Sequence, residues 1–324
     1  MHTLKDNYNR YFSYLRLSIT EACNFRCNYC MPASFKTSDK NKLSLNEIYN
    51  LVTAFTELGV NKIRLTGGEP TTRKDFIHIA KMISSFSAIK SLVFTTNGYK
   101  LTDLITNLLD CGFTGINISL DTLNKEKFSI ITHRNYFDKV YEGILRILTL
   151  NLDIKINVVL SDLFSFDDFE NFYSLTKYKN LTIRFINQME TNFVKKKKNR
   201  SIDVNYILTF LKKNNWTLTN EKFISAGPAL TLINKNFMGK IGIINPYSNS
   251  FCLSCNRLRI SSQGNLHLCL FGGKSYSIRH FLDSKTKKFL LQKFLIETTK
   301  IKGYSHFLDY KNFGELTTFS SIGG

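Results

Sequence analysis

Seven cysteines occur in this 324-residue chain, and six of them form two triplets: Cys23, Cys27 and Cys30, then Cys252, Cys255 and Cys269. The first triplet is a C-x3-C-x2-C run, Cys23-Asn-Phe-Arg-Cys27-Asn-Tyr-Cys30. Thiolates are soft ligands suited to iron-sulfur clusters or zinc, and three of them on a cubane leave one iron open to a small molecule. A closed zinc site wants four ligands, and His2 is the only histidine before His78, which speaks against zinc at the first triplet. Zinc competes harder at the second, because His267 would complete a Cys3His set; residues i and i+2 of a strand share a face, so His267 and Cys269 are compatible as ligands. A disulfide framework is not expected in a chain of this size with no leader segment.

A second group of residues places charge where an apolar strand pattern calls for none. Arg16, Lys62, Arg64, Lys155 and Arg184 each interrupt an otherwise apolar run, and Arg257 and Arg259 follow directly on Cys255. A lone cation of this kind usually snorkels outward or pairs with a carboxylate. Five such positions recurring point instead to inward cations, and the planar fork of arginine suits paired phosphate oxygens.

These residues need elements that carry them to one place. Residues 15–19 read as a strand that runs straight into the first triplet. Ser44 to Glu47 has the form of a capping box, and Ile48, Leu51, Val52, Phe55 and Leu58 keep helical spacing until Gly59. The strand at 62–66 opens into Gly67-Gly68-Glu69-Pro70, with a helix starting near Asp75. The strand at 91–95 leads into Asn97-Gly98 and a helix bearing Leu104, Ile105, Leu108 and Leu109. Strands at 115–120, 154–160 and 181–186 alternate with helices near 141–150 and 166–176. Six strands alternating with about five helices imply right-handed crossovers and a parallel sheet, whose ligands sit at the C-terminal strand ends. The expected fold is α/β, a partial (βα)6-type TIM barrel over 1–194, with a C-terminal extension over 195–324 that carries the second triplet. From about residue 195 the alternation fails, and 195–250 reads as irregular. A helix near 285–298 precedes the tail ending in Gly323-Gly324. The four lysines at 195–198 read as an exposed loop, Cys111 as a small buried hydrophobe at a helix end, and Trp216 as core.

Apolar residues are 43% and charged residues 21% of the chain, which excludes a disordered or membrane-embedded class. No apolar run approaches the ~18 residues of a span, and residues 1–10 lack the apolar segment of a signal peptide, so a cytoplasmic location is expected. The net charge of +19 favours an anionic partner. Phenylalanines and lysines do not interleave regularly, so neither nucleic acid nor membrane is the expected partner.

The first triplet, placed after the first strand, resembles the signature of the radical S-adenosylmethionine enzymes. That resemblance implies a 4Fe-4S cluster on Cys23, Cys27 and Cys30 whose open iron is chelated by the amino and carboxylate groups of S-adenosylmethionine. It further implies that the glycine pair ending in Gly68 receives the methionine amine, that Tyr29 lies near adenine, and that Ser119 and Met189 line the same side. This chain has Asn187-Gln188 where relatives usually carry an acidic and an aromatic residue. The C-terminal run Cys255-Asn-Arg257-Leu-Arg259, with Gly264, Cys269-Leu270 and Gly323-Gly324, resembles the GTP 3′,8-cyclase family of molybdenum cofactor biosynthesis. In that family a second 4Fe-4S cluster, here on Cys252, Cys255 and Cys269, turns its open iron to guanine. The matching positions imply GTP contacts at Arg16, Lys62, Arg64, Thr95, Lys155, Arg184, Arg257 and Arg259, and catalytic roles for Arg257, Arg259, Gly323 and Gly324. The implied reaction begins with reductive cleavage of S-adenosylmethionine to a 5′-deoxyadenosyl radical, which removes hydrogen from ribose C3′. The new carbon radical adds to guanine C8, and an electron and a proton complete 3′,8-cyclo-7,8-dihydro-GTP. The implied partners are an electron donor and the next enzyme of the pathway, cyclic pyranopterin monophosphate synthase, with a homodimer left open. Two rivals remain: another radical enzyme with an auxiliary cluster, such as a peptide-modifying one, and a zinc-bearing nucleic-acid-binding protein.

Overall fold

The computed structural model describes residues 3–30, 41–190, 202–219, 227–248, 251–272, 274–306, 308 and 322. Six strands fall where the apolar runs place them: β1 (Tyr14–Ser18), β2 (Lys62–Thr66), β3 (Ser91–Thr96), β4 (Gly115–Ser119), β5 (Asp153–Leu160) and β6 (Thr182–Asn187). Between them run α1 (Leu45–Glu57), α2 (Phe76–Ser84), α3 (Leu101–Asp110), α4 (Lys125–Thr132), α5 (Phe137–Ile147) and α6 (Phe166–Tyr178). The capping box starts α1 as its spacing requires: Ser44 Oγ accepts from the Glu47 amide at 3.2 Å, and the Glu47 carboxylate accepts from the Ser44 amide at 2.8 Å. One helix, α4, carries too short a pattern to be anticipated. It spans 8 residues and buries only Phe128, Ile131 and Thr132.

The stretch read as irregular is more regular than expected. It contains α7 (Val204–Lys213) and the antiparallel strands β7 (Thr217–Leu218), β8 (Leu230–Ile233) and β9 (Lys240–Ile244). After it come β10 (Arg257–Ile260), β11 (Asn265–His267), β12 (Ser275–Ser277) and α8 (Lys288–Lys300). The helix α8 stands where the sequence places one; α7 and the strands β7, β8, β9, β10 and β12 were not anticipated, β9 and β10 because their parallel partners are distant in sequence and β7, β8 and β12 because they are only two to four residues long. β9 pairs in parallel with β6, and β10 returns to pair in parallel with β1.

The result is one sheet of order β12-β11-β10-β1-β2-β3-β4-β5-β6-β9-β8-β7. Eight neighbouring strands, β10 through β9, run parallel, and antiparallel strands finish both edges. If it were flat, β10 and β9 would lie roughly 34 Å apart at ~4.8 Å per strand. Instead Ile244 of β9 and Arg257 of β10 line the same cavity, so the sheet curls into an open barrel. On its convex side apolar residues such as Leu15, Leu17, Ile63, Leu65, Phe94, Ile116, Ile156 and Ile183 are buried in the core. The alternate positions turn inward, and those are where the cations stand. Cys111 caps the C-terminus of α3 and is fully buried, and Trp216 is also core. Among the described residues no helix is long and apolar enough to cross a membrane.

Candidate active site

The first triplet occupies the loop after β1, and the loop after β2 braces it. Gly68 N donates to Thr20 O at 3.0 Å and Glu69 N to Ala22 O at 2.8 Å. The two backbones lie so close that a Cβ at Gly67 would meet Thr20 O at 2.3 Å, and one at Gly68 would meet Ala22 O at 2.4 Å. Both glycines are therefore required by the approach of one loop to the other.

Glu69 is almost wholly buried and ties three loops together. Its carboxylate accepts from the Thr71 hydroxyl at 2.6 Å, the Thr96 hydroxyl at 2.9 Å and the Asn97 amide at 2.6 Å. Burial nevertheless raises its pKa above the ordinary value. Asn97 then donates through its side-chain amide to Asn24 at 2.8 Å and, more distantly, to Cys23 Sγ at 3.9 Å. Tyr29 is fixed by its hydroxyl, which donates to Asp121 at 2.6 Å; the other Asp121 oxygen accepts from the Val159 amide at 2.8 Å. Burial pushes Asp121 up to about 6. The residue sequence reasoning overlooked most clearly is Glu69, because its role lies in hydrogen bonds between loops and not in any periodicity.

The inward faces of the strands build a row of cations by register alone. Arg16 stands opposite Arg64 on one side and Arg259 on the other, and Tyr14 stands opposite Lys62 and Arg257. Asn157 stands opposite Arg184. With its amide oxygen turned toward the guanidinium, Asn117 accepts from Arg64 at 2.6 and 2.7 Å. Burial, then the facing charge of Arg259, holds Arg16 well below its usual value. Burial likewise takes Arg184 down to about 9, with Arg64 adding to the effect. Among the described residues neither Arg64, Arg184 nor Arg257 pairs with a carboxylate, and Arg184 Nε, Thr95 Oγ1 and Asn157 Oδ1 are buried without a hydrogen-bond partner. Crowded cations beside unsatisfied polar atoms fit a bound polyanion.

All of this faces one cavity of about 310 Å³. Its lining includes all six triplet cysteines together with Arg16, Tyr29, Arg64, Gly68, Thr95, Ser119, Arg184, Met189, Arg257 and Arg259. Lys62 and Lys155 are not among the lining side chains. Lys62 lies one inward position deeper on β2 than Arg64, and Lys155 pairs with Asp153. Gly323, Gly324 and residues 195–198 lie outside the described residues; Ile322 is buried.

The second triplet sits where β10 begins and β11 ends, and its surroundings are cationic. Arg10 donates to Cys252 O at 2.9 Å, and the Ser305 hydroxyl points to Cys252 Sγ at 4.0 Å. Burial pushes the Cys255 thiol up, but Arg257 and Lys302 outweigh it and bring the group down to about 6. At the first triplet the balance is opposite: burial, with Glu69, raises Cys23 to about 11, and burial with Cys23 and Asp121 raises Cys30 to about 12. All six cysteines are free thiols, and each triplet presents three sulfur donors to the cavity, a donor set that fits a cubane with one open iron. His267 stands opposite Arg259 across β10 and β11 and does not line that cavity; burial and Arg259 take it down to about 4. A further cavity of about 270 Å³ lies behind the second triplet, lined by the same three cysteines, Arg10, Lys302 and residues 303–306.

Comparison with known proteins agrees with this geometry. Residues 17–176 match the radical SAM superfamily, and residues 181–308 match Molybdenum Cofactor Synthesis C. A GTP 3′,8-cyclase of Haemophilus influenzae (strain 86-028NP) is 40% identical, over 99% of this chain and 96% of that protein. One from Psychromonas ingrahamii is also 40% identical, over 99% and 95%. Among solved structures, Streptococcus suis SuiB bound to precursor peptide SuiA superposes with a TM-score of 0.65 at 14% identity, covering 90% of this chain and 67% of that one. Native anSMEcpe with bound AdoMet superposes with a TM-score of 0.59 at 16% identity, covering 88% and 84%. At such identities these two show a shared fold.

Proposed function

The chain belongs to the GTP 3′,8-cyclases of the radical S-adenosylmethionine superfamily, and on that premise we propose how its own residues divide the work of joining C3′ of GTP to guanine C8. It is an enzyme of the first step of molybdenum cofactor biosynthesis, and membership implies a 4Fe-4S cluster and S-adenosylmethionine. The cluster and S-adenosylmethionine supply the one-electron chemistry when bound; the protein's share is to bind, orient and exclude water.

Cys23, Cys27 and Cys30 hold the first cluster, with Asn97 donating toward Cys23 Sγ. Gly68 and Ser119 line the S-adenosylmethionine side, Tyr29 is held there by Asp121, and Met189 closes it. Arg16, Arg64 and Arg184 grip the triphosphate, Thr95 offers its free hydroxyl, and Lys62 and Lys155 add charge from deeper in the barrel. Cys252, Cys255 and Cys269 would hold a second cluster facing the same cavity. Arg257 and Arg259, on the strand that begins at that triplet, orient base and phosphates, and the Gly323-Gly324 tail belongs to the same site. Each of these two arginines shares its strand pair with a barrel residue, so triphosphate and base are fixed by one rigid sheet.

The observation that carries this reading is that both triplets and the row of arginines line a single cavity. Anaerobic reconstitution should give about eight irons per chain and no zinc. Incubation with GTP, S-adenosylmethionine and a reductant should then yield 5′-deoxyadenosine and a cyclised nucleotide, while ATP should not cyclise. About four irons would remove the second cluster, and equal use of ATP would overturn the guanine assignment.

A further inference from the structure

Lys302 follows the C-terminus of α8 and is a buried lysine, 4% exposed. Its ammonium donates to Leu268 O, the carbonyl immediately before Cys269, and reaches Arg257 O, two residues beyond Cys255, at 3.5 Å. It also lies 5.4 Å from the centre of the Phe12 ring and lines both cavities that meet at the second triplet. Among the described residues no carboxylate pairs with it. A buried ammonium whose partners are neutral oxygens is costly unless an anion lies close by, and the two carbonyls it meets flank Cys255 and Cys269, which as cluster ligands would be thiolates. The helix that delivers it is pinned from outside: Glu57 of α1 accepts from Lys288 at 2.6 Å and from Gln292 at 2.7 Å.

We propose that Lys302 is a positioning residue for the second iron-sulfur cluster, spanning the two strands that carry Cys255 and Cys269 and setting the cluster's reduction potential with a fixed positive charge. The inference rests on the reading that a cluster occupies this triplet. Reduction adds one negative charge to a cubane, so a nearby cation favours the reduced form and raises the potential. At the first triplet the corresponding cation is Arg134, which donates to Asn24 O beside Cys23 at 2.7 Å, but there the carboxylates Glu69 and Asp121 stand close by and oppose it.

The test uses full-length protein in which Cys23, Cys27 and Cys30 are replaced by alanine, so that only the second cluster is seen. Iron and sulfide analysis comes first. About four irons supports the cluster, and zinc instead would end that reading without bearing on where Lys302 sits. Lys302→Met, Lys302→Gln and Lys302→Arg are then titrated by electron paramagnetic resonance. Removing the charge in the Met or Gln variant should lower the reduced-to-oxidised ratio at fixed poise about tenfold, equivalent to about 59 mV for one electron. Lys302→Arg should stay near the parent. A Met or Gln variant with full iron and an unchanged midpoint overturns the proposal. Loss of iron in both overturns it as well, since Lys302 would then be a structural tie alone.

Discussion

At the level of single residues, the site is a concentration of like charge that a bound polyanion would relieve. Lys62 shows this in a measurable way. Burial, with the positive charge of Arg64 and Arg184, takes its ammonium down to about 8, although the Tyr14 hydroxyl facing it works in the other direction. Phosphates arriving at Arg64 and Arg184 offset that repulsion and restore the proton. GTP binding near pH 8 should therefore take up to about half a proton, the fraction missing from a group at its pKa, and affinity should fall as pH rises past 8. Calorimetry in two buffers of different ionisation enthalpy reads the uptake, which Lys62→Met should reduce, leaving the share of Lys155, itself held down to about 6 by burial and Arg184; an uptake unchanged in that variant would place the titrating group elsewhere. The cysteines and strand cations were legible because their types contradict their surroundings. Glu69 and Asp121 were legible as strand-end residues but not in their roles, which lie in hydrogen bonds between loops, and Lys302 was not legible at all, because a lysine after a helix looks ordinary until its partners are known.

Among the elements, α6 carries the clearest dependence on one side chain. Ser165 and Asp168 form its capping box, and Asp168 also accepts from Thr122 at 2.6 Å and from Lys127 at 2.7 Å. Burial pushes Asp168 up, yet these hydrogen bonds outweigh it and hold the group below 3.8. A depressed carboxylate stabilises the fold above its unfolded pKa and loses that contribution as pH falls through the folded value. Asp168→Ala should cost about 3 kcal/mol at pH 7, combining a lost cap with the stranded partners of a buried charge. Urea midpoints should show the gap narrowing below pH 3.8; a gap independent of pH would mean that packing and not charge is responsible. Period and capping identified most helices and six strands. They failed at α4, which is short, at α7, at β7, β8 and β12, which run to four residues or fewer, and at β9 and β10, whose parallel partners are far away in sequence.

Across the whole molecule, the parallel sheet does not close by hydrogen bonds among the described strands. Its two parallel edges, β9 and β10, are joined by residues 245–256, and Cys252 and Cys255 sit on that connection. The third thiol, Cys269, and the segment around Lys302 arrive from beyond β10. A cluster on the second triplet would therefore tie the connection between β9 and β10 to the end of β11, acting as a buckle beside the seam that no ladder joins among the described strands. Amide hydrogens of residues 245–248, 251–256 and 301–306 should exchange more slowly after reconstitution, while those of β3 and β4 on the opposite wall stay unchanged. Equal protection throughout would show that the seam holds without its buckle. A fastening of this kind would also order assembly: with the connection and the end of β11 required in place before a cluster could seat, a chain caught half-built would keep its interior open to water and oxygen.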